Sequence, residues 1–343
     1  MIGAGVVGLS ATVALLRRGV DVRCYESGEP MGERSVGDTR IFRLAHAYPD
    51  MVLLAGRSRA LFAEWSERAG VTFVDEVGTV VSGAGAGRWA EAMVTAGAAH
   101  EMVEAGSPLL RLPARSFAGP ALIDPAGGVI RVDRIRAFLV DSVGNRLRRA
   151  HVDAVEETGP GVRVTSGTEA NTFDAVVICA GAGTSALAAG VGIDIPSALE
   201  HHLRFSFPIR PAAPEPLQCW ITESADGLLG TYQHVAAPGS WAVGGEIDPA
   251  LVTWEGGRRA AEQASLAAVT GYVAKHLPFV EPRPLAQAYC AHNPDLGDGL
   301  RFVRRGRVLT TYGENLMKFA PLLGETLARA CVEGSTPADA GGI

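Results

Sequence analysis

The N-terminal glycines constrain this 343-residue chain more than any other feature of its sequence. Gly3, Gly5 and Gly8 fit the pattern G-x-G-x-x-G and precede a stretch whose apolar residues recur at helical spacing. An alternating strand pattern follows and ends at Glu26, 18 residues after Gly8. This order of turn, helix, strand and terminal acid is the dinucleotide-binding fingerprint, in which the acid accepts hydrogen bonds from ribose hydroxyls. The sequence therefore predicts a Rossmann-like unit that binds a dinucleotide.

The glycines of this fingerprint have different physical tasks. Gly3 permits a tight turn, Gly5 lets the backbone approach a pyrophosphate, and Gly8 lets the helix pack closely on the sheet. The free N–H groups of the first helical turn, which includes Val6 and Val7, offer partial positive charge to the phosphates. Only two residues precede the glycines where a full strand is usual, as expected for a truncated or misplaced start.

Composition and charge argue against several other classes of protein. Hydrophobic residues make up 47% and charged residues 20%, as in average globular proteins, which argues against disorder. The net charge of −6 favours neither nucleic acid nor an anionic membrane surface as a partner. No apolar run reaches the roughly 18 residues that cross a bilayer. The five cysteines lie far apart without a C-x-x-C pair, so we expect reduced thiols in the cytoplasm and no metal site.

The later segments predict that the nucleotide-binding unit is interrupted. Residues 174–179 are nearly all apolar, as in a buried parallel strand, and lead into a second glycine turn. Residues 200–250 instead contain a series of strand patterns. We therefore predict an α/β nucleotide domain with an inserted, mainly antiparallel β domain. The predicted limits are 1–75, 127–195 and 288–343 for the nucleotide domain, and 76–126 and 196–287 for the inserted domain.

A seven-residue block identifies the family that this chain resembles. Residues 37–43 read G-D-T-R-I-F-R and resemble the G-D-T-R-I-I-R block of the D-amino acid oxidase superfamily, in the branch of sarcosine oxidase, N-methyl amino acid oxidase and glycine oxidase. The opening glycines, residues 174–183, Cys290 and residues 313–324 resemble further family segments in the same order, so the resemblance spans nearly the whole chain. It implies an FAD domain that is interrupted by a substrate domain.

The resemblance also implies a reaction. It is oxidation of the C–N bond of an amino acid or an N-substituted glycine-type secondary amine, with hydride transfer to flavin N5, an imine product and reoxidation by O2. FAD is the electron sink, and the protein supplies placement and electrostatics. Two alternatives stay open: an FAD-dependent amine dehydrogenase with another electron acceptor, and a catalytically inactive flavin-binding subunit. We expect a monomer or a small homo-oligomer.

Four residues are predicted to act on the substrate. Arg43 and Lys318 match positions that hold the substrate carboxylate in the sarcosine oxidase branch. An arginine fork donates two hydrogen bonds to a carboxylate and a lysine adds a point charge, so we expect a carboxylate-bearing substrate. Lys318 has flavin N1 and C2=O as alternative partners. Tyr232 and His234 lie on a strand expected to face the flavin, and an ordinary structural position in the sheet is their alternative.

The resemblance assigns further residues to FAD. Arg40 matches an arginine beside the flavin ring, where a cation raises the electron affinity of the flavin. Asp38 and Thr39 are expected to reach the pyrophosphate or the ribityl chain. Cys290 sits where covalent flavoproteins of this branch bond FAD, so attachment there is a prediction with non-covalent binding as its alternative. The other predicted FAD contacts are Val6, Val7, Tyr25, Val152, Ala180, Gly181, Gly313 and, as noted, Lys318.

The chain departs from the family pattern at three positions. Ala242 falls where the branch places a lysine that helps to activate oxygen, and Lys275, in a predicted helix, cannot easily replace that lysine. Glu246 and His46 fall where a histidine and a tyrosine are more usual. Since other oxidases of the superfamily lack this lysine, O2 stays the expected acceptor and a different acceptor stays an alternative.

Overall fold

The computed structural model describes residues 1–115, 117–225 and 227–341. The α-helices of these residues are α1 (Val6–Arg17), α2 (Pro49–Ala69), α3 (Ala86–Thr95), α4 (Val132–Val143), α5 (Thr184–Ala189), α6 (Arg258–His276) and α7 (Ala320–Glu333).

The strands of the described residues follow in chain order. They are β1 (Cys24–Glu26), β2 (Thr39–Phe42), β3 (Val74–Asp75), β4 (Thr79–Gly83), β5 (Glu101–Val103), β6 (Ala121–Asp124), β7 (Gly128–Arg131), β8 (Leu147–Arg149), β9 (Ala154–Glu157), β10 (Val162–Ser166), β11 (Glu169–Phe173), β12 (Val176–Ile178), β13 (Glu200–Pro208), β14 (Cys219–Ala225), β15 (Leu228–Ala237), β16 (Ser240–Glu246), β17 (Ala286–His292), β18 (Gly299–Arg305), β19 (Val308–Tyr312) and β20 (Ala340–Gly341).

The first sheet is mostly parallel and is completed by Ile2. This residue forms parallel bridges with Tyr25 of β1 and with Ile178 of β12, so it joins the β8–β1 pair to the β12–β19–β18–β20 group. The β1–β8 and β12–β19 pairs are parallel, whereas β18 is antiparallel to β19 and to β20. Because parallel strands need crossover connections, helices cover this sheet, as the Rossmann-like prediction requires.

Close helix packing holds the glycine loop, residues 3–8, against this sheet. Helix α1 begins after Gly5 and is buried over almost its whole length, because its apolar residues lie on all sides. It packs against α7 at Gly324, where an added Cβ would lie 2.7 Å from the backbone carbon of Ser10. Contact at this distance excludes any larger side chain, so the helices fix each other's position.

The second sheet has eight strands in the order β17-β13-β16-β15-β14-β4-β6-β5. All neighbours are antiparallel except β14 and β4. Its apolar face, with Phe205, Phe207 and Trp241, packs against α6 in one core. Since successive side chains point to opposite faces, the residues between these apolar ones face the other way, and several of them are polar. Two smaller antiparallel sheets, β2-β7-β3 and β11-β10-β9, complete the fold.

The main elements predicted from the sequence are present, and three details come from the structure alone. Strand β8 pairs in parallel with β1, with a last hydrogen bond from the Ala150 N–H to the Glu26 carbonyl, whereas β9 pairs with β10 in a separate sheet. Lys318 lies in a 3₁₀ turn, Leu316–Phe319. Helix α7 begins only after this turn, at Ala320, with Pro321 in its first turn, where a missing N–H is tolerated. Strand β17 pairs with β13 across the predicted limit at 288, and the division into domains stays a prediction.

Two expected absences concern the described residues alone. None of their helices is long and apolar enough to cross a membrane. The five cysteines all lie in the described part of the chain, and each carries a free thiol.

Candidate active site

The glycine loop is fixed by close contacts within its own backbone. Gly3 has a φ of +94°, and a Cβ there would lie 2.3 Å from the Cys179 carbonyl oxygen. A Cβ on Gly8 would lie 2.0 Å from the Gly3 carbonyl oxygen. The nearest atom to a Cβ added at Gly5 would be the Ser35 hydroxyl oxygen, 3.4 Å away. Gly3 and Gly8 are therefore required by the turn and the helix packing, whereas Gly5 leaves an open approach to the backbone.

The start of α1 faces this opening. Its N-cap, Gly5, has no side chain, and the Val6 N–H donates to the Ser35 hydroxyl at 3.1 Å. Glu26 accepts from the Ala4 N–H at 2.7 Å and from the Gly28 N–H at 2.9 Å, so it connects the end of β1 to the glycine loop. A helix N-terminus without an acidic side chain in its first turn presents positive potential to a phosphate. This arrangement fits the pyrophosphate end of FAD.

A half-buried arginine, Arg40, and a buried one, Arg204, lie side by side at Thr39. Arg40 and Arg204 both donate to the Thr39 carbonyl, at 2.9 and 3.1 Å. Burial, and then the charge of Arg204, lower the pKa of Arg40 to about 10. Within the described residues neither guanidinium is hydrogen-bonded to a carboxylate, so the pair forms a positively charged region. Such a region fits the electron-accepting ring of FAD, whose reduced form carries negative charge.

Cys290 lies at the edge of this positive region and is joined to two polar side chains. Its Sγ is 3.4 Å from Nδ1 of His202, and Nε2 of His202 is 3.2 Å from the Tyr232 hydroxyl. Burial, and then the nearby His292, lower the pKa of His202 to about 4, so its ring is neutral at pH 7. Burial raises the pKa of the Cys290 thiol, and the charge of Arg40 opposes that rise. The cysteine therefore lies close enough to Arg40 to feel its charge, and a covalent bond to FAD stays a prediction.

His234 is completely buried and contacts Thr39 of strand β2. Its Nε2 is 3.0 Å from the Thr39 hydroxyl and 3.5 Å from Nη1 of Arg204. Burial and the charge of Arg204 hold the pKa of His234 well below its ordinary value. Since Tyr232 and His234 contact His202, Thr39 and Arg204, the structure supplies each with a structural partner, and a catalytic role for either stays a prediction.

Arg43 follows β2 and is held by its surroundings. Its Nη1 donates to the Ala45 carbonyl at 2.5 Å, and its guanidinium lies over the Trp89 ring at 4.6 Å. The buried carboxylate of Asp124 accepts from the N–H groups of Leu44 and Ala45, at 2.5 and 3.1 Å, and so fixes the backbone after Arg43. The side chain therefore has one defined direction, with Nη2 donating to the carboxylate of Asp298.

Lys318 and His46 converge on the same place as Arg43. The carboxylate of Asp298 has one oxygen 3.1 Å from Arg43 Nη2 and 3.0 Å from His46 Nδ1, and its other oxygen 3.7 Å from Lys318 Nζ. The hydroxyl of Ser58, on α2, donates to the Lys318 carbonyl at 2.6 Å and positions the turn. We call Arg43, Lys318 and His46 the carboxylate clamp.

The charges in the clamp are shifted by burial and by one another. Burial, and then the charge of Arg43, lower the pKa of Lys318 to about 7. The same causes hold the pKa of His46 well below its ordinary value, so its ring is neutral at pH 7. Burial opposes ionisation of Asp298, but Lys318 and Arg43 together hold its pKa well below the usual range. Because an ionised carboxylate only accepts, His46 Nδ1 carries the hydrogen.

The C-terminal segment that resembles the family, residues 313–324, begins at a constrained glycine. Gly313 has a φ of +154°, and a Cβ there would lie 2.2 Å from the Gly299 carbonyl oxygen. The next residue, Glu314, accepts from Arg34 at 2.5 Å and lies 3.3 Å from Nδ1 of His292. The hydrogen bond to Glu314 raises the pKa of His292. This ion pair connects the end of β19 to the loop that precedes Arg40.

The remaining predicted FAD residues lie around the first sheet. Tyr25 and Val152 are buried in one apolar cluster, and Ala180 packs against it. Gly181 follows β12 with a φ of +58°. The carbonyl of Asp38 accepts from the N–H of Val132 at 2.8 Å, at the start of α4. Direct contact of these residues with FAD stays a prediction.

Several residues of both regions were missed by the sequence analysis. His202 and Arg204 alternate with the apolar Leu203 and Phe205 on β13, and this period-2 pattern could have placed them on the polar face of the sheet. Asp298 lies in the loop after β17, where no local pattern marks it. Together the glycine loop, the Arg40–Arg204 pair and Cys290 form one set that fits FAD, and the clamp forms a neighbouring set that fits a carboxylate.

Comparisons with known proteins bear on the family and the fold of the chain. The profile of the family described as "DAO: FAD dependent oxidoreductase" matches residues 1–330. A comparison with curated protein sequences returns no significant match.

Solved structures share the fold. NikD, an unusual amino acid oxidase essential for nikkomycin biosynthesis, has a TM-score of 0.84 at 22% identity, over 98% of this chain and 94% of that one. L-proline dehydrogenase from P. horikoshii has a TM-score of 0.80 at 18% identity, over 97% and 92%. Glycine oxidase from Geobacillus kaustophilus has a TM-score of 0.75 at 18% identity, over 98% and 94%. These likenesses and the family profile confirm the predicted fold class and the expected cofactor, FAD: the chain belongs to the FAD-dependent oxidoreductases of the D-amino acid oxidase superfamily.

Proposed function

We propose that this oxidoreductase acts on the C–N bond of an amino acid or an N-substituted glycine-type secondary amine, with O2 as the final electron acceptor. The observation that carries the proposal is the carboxylate clamp. Arg43 and Lys318 approach the two oxygens of one carboxylate, that of Asp298, at 3.1 and 3.7 Å. A buried cationic pair of this kind matches the α-carboxylate of an amino acid and has no use for an amine that lacks one.

The residues of the clamp have separate tasks in this proposal. Arg43, held by Ala45 and Trp89, orients the carboxylate through Nη2, and Lys318 adds charge at the other oxygen. Neutral His46 donates through Nδ1 to the same carboxylate. FAD supplies the two-electron acceptor when bound. The Arg40–Arg204 pair stabilises negative charge on the polar face of the large sheet, where the family places the flavin ring.

The fold neighbours support the substrate class. NikD and glycine oxidase are amino acid oxidases by name, and L-proline dehydrogenase takes an amino acid with a secondary amine. Their sequence identities of 18–22% carry the fold alone, so the clamp remains the main argument for a carboxylate-bearing amine.

Anaerobic reduction of the flavin tests the proposal. The purified yellow protein would be mixed without oxygen with glycine, sarcosine, proline and iminodiacetate, and with matching amines that lack a carboxylate. We expect at least one amino acid to bleach the visible absorption of the flavin, while its decarboxylated analogue does not. Bleaching by simple amines alone would contradict the clamp, and would place the substrate outside the amino acids.

A second candidate is a dehydrogenase with another electron acceptor. Ala242 stands where the sarcosine oxidase branch has a lysine. It is fully buried on β16, paired with His234 of β15 and Ser206 of β13. Readmission of O2 to the reduced protein discriminates the two candidates. Rapid reoxidation with production of hydrogen peroxide supports the oxidase, whereas persistent reduction that a dye acceptor reverses supports the dehydrogenase.

We predict that FAD is bonded covalently to Cys290. The thiol lies beside Arg40 and within 3.4 Å of His202, so it is positioned at the region that fits the flavin ring. Acid precipitation should leave the yellow colour in the protein pellet, and Cys290→Ser should release it to the supernatant. Cys331→Ser, which changes a partly buried cysteine on α7, is the matched control and should keep the colour in the pellet. Colour in the supernatant of the unmodified protein would refute the bond and leave FAD binding intact.

We also predict that carboxylate binding weakens above neutral pH. Because burial and Arg43 lower the pKa of Lys318 to about 7, its ammonium is present below this pH and is lost as the pH rises through it. The dissociation constant of acetate should therefore increase by up to about tenfold per pH unit above that value. Binding to Lys318→Met should be weak throughout and nearly independent of pH between about 6 and 9. A pH-independent affinity in the unmodified protein would show that the lysine charge is not used.

A further inference from the structure

The carboxylate clamp already holds a carboxylate of this chain. Asp298 lies at the end of the loop between β17 and β18, and its Oδ2 accepts from Arg43 Nη2 at 3.1 Å and from His46 Nδ1 at 3.0 Å. Its Oδ1 is 3.7 Å from Lys318 Nζ and has no hydrogen-bond partner within the described residues. The side chain of Asp298 is 31% exposed, whereas those of Arg43 and Lys318 are 9% and 4% exposed.

The position of Asp298 shows that this contact and a substrate carboxylate compete. Nη1 of Arg43 donates to the Ala45 carbonyl, and Nη2 donates to Asp298. Other N–H groups of the guanidinium remain, but the Asp298 carboxylate occupies the place from which one carboxylate contacts both Arg43 Nη2 and Lys318 Nζ. A second carboxylate that contacts both cations in this way therefore has to take the place of Asp298.

Charge leads to the same conclusion. Two buried cations without an anion are unfavourable, and Asp298 supplies that anion when no ligand is bound. With a substrate carboxylate in contact with both cations, Asp298 would add a second negative charge within a few ångströms. Like charges at that distance disfavour each other, and Asp298, whose side chain is 31% exposed, is the carboxylate that can move toward water.

We infer that Asp298 is an internal ligand of the clamp, which the carboxylate of a substrate displaces. The inference rests on the proposed function, and it adds a residue that determines the specificity of the same site. A ligand binds only if its carboxylate replaces the contacts of Asp298 with both Arg43 and Lys318. An amine without a carboxylate cannot do so, since it offers no acceptor to either cation.

The loop around Asp298 permits this exchange without disturbing the sheet. Asn293 anchors its start through a 2.8 Å hydrogen bond to the Pro196 carbonyl, and Gly299 begins β18, paired with Gly341. Gly297, directly before Asp298, has a φ of +60°. The side chain is 31% exposed although its Oδ1 is buried, so rotation about its own bonds can turn the carboxylate toward water while β18 stays in place.

The test is calorimetric titration of the purified flavoprotein with acetate at about pH 6, where Lys318 keeps its proton. We expect Asp298→Asn and Asp298→Ala to lower the dissociation constant of acetate by about tenfold or more, because a charged competitor is removed. Asp295→Asn makes the same change of charge in the same loop, at an exposed residue outside the clamp, and should bind acetate as the unmodified protein does.

The outcomes separate this inference from the proposed function. An unchanged or weaker affinity in both Asp298 variants, together with lost binding in Arg43→Ala, would overturn the inference and leave the clamp intact. Normal acetate binding by Arg43→Ala would overturn the clamp itself, and the inference with it. Agreement of the two Asp298 variants with each other also shows that the effect comes from the lost charge, because alanine leaves no amide to bind Arg43.

Discussion

Substitution of Arg43 by alanine is expected to weaken the binding of acetate or of a carboxylate-bearing substrate by about 30-fold or more, while FAD stays bound. Loss of one partner of a charge-assisted pair in a desolvated site costs about 2–5 kcal/mol. The lower end of that range, which corresponds to about 30-fold, applies here because the same substitution also removes the main hold on Asp298. Calorimetric titration, with the flavin absorption as a measure of bound FAD, gives both quantities on one sample.

Two further variants make this result specific. Arg43→Lys keeps the positive charge but loses the planar fork, so it should recover only part of the affinity. Arg136→Ala removes an arginine from the exposed side of α4 and should leave acetate binding unchanged, which excludes a general effect of net charge. Equal affinity of Arg43→Ala and the unmodified protein would mean that the substrate is held elsewhere.

Residues that belong to a local motif could be predicted from the sequence. Gly3, Gly8 and Glu26 follow from a fingerprint in which every spacing is set by one turn, one helix and one strand. Arg43 and Lys318 followed only from a family resemblance, because they are 275 residues apart and no periodicity relates them. The fold brings them together at Asp298, which contacts both, and the Ser58 hydroxyl of α2 holds the Lys318 backbone.

Asp298 shows why the rest of the site could not be predicted. The chain has 37 acidic residues, and the loop after β17 contains a second one, Asp295, three positions away. No local sequence pattern distinguishes the two residues. They differ only in the folded chain, where Asp298 contacts Arg43, Lys318 and His46. The same is true of Asp124, a buried carboxylate whose role is to hold the backbone after Arg43.

Arg204 illustrates an intermediate case. Its polar neighbours on β13 alternate with Leu203 and Phe205, so its face of the sheet could be predicted, but its proximity to Arg40 could not. The contact arises because β2 crosses the polar face of the large sheet, where Thr39 accepts from Arg204 and lies beside His234. Such a crossing of two separate sheets leaves no trace in the sequence of either.

A second large effect is expected from the glycine loop: Gly8→Ala should lose most of its FAD and unfold at a lower temperature. The added Cβ would lie 2.0 Å from the Gly3 carbonyl oxygen. No side-chain rotation relieves this contact, because the oxygen is a backbone atom and the position of a Cβ is fixed by its own backbone. Either α1 or the glycine turn has to move, at a cost of about 1–3 kcal/mol. Movement of the helix start also displaces the N–H groups that fit the pyrophosphate.

The matched control for Gly8→Ala is Gly56→Ala, on α2. A Cβ at Gly56 would meet no described atom within 4 Å, so the substitution adds a methyl group without a clash. Because alanine favours a helix over glycine by about 1 kcal/mol, Gly56→Ala should keep its FAD and unfold at the same or a higher temperature. Absorbance of bound flavin and thermal denaturation of the two variants measure the difference directly. If Gly8→Ala matched Gly56→Ala in both properties, the close approach of α1 to the Gly3 carbonyl would not be needed to bind FAD, and the fingerprint would lose its physical basis in this chain.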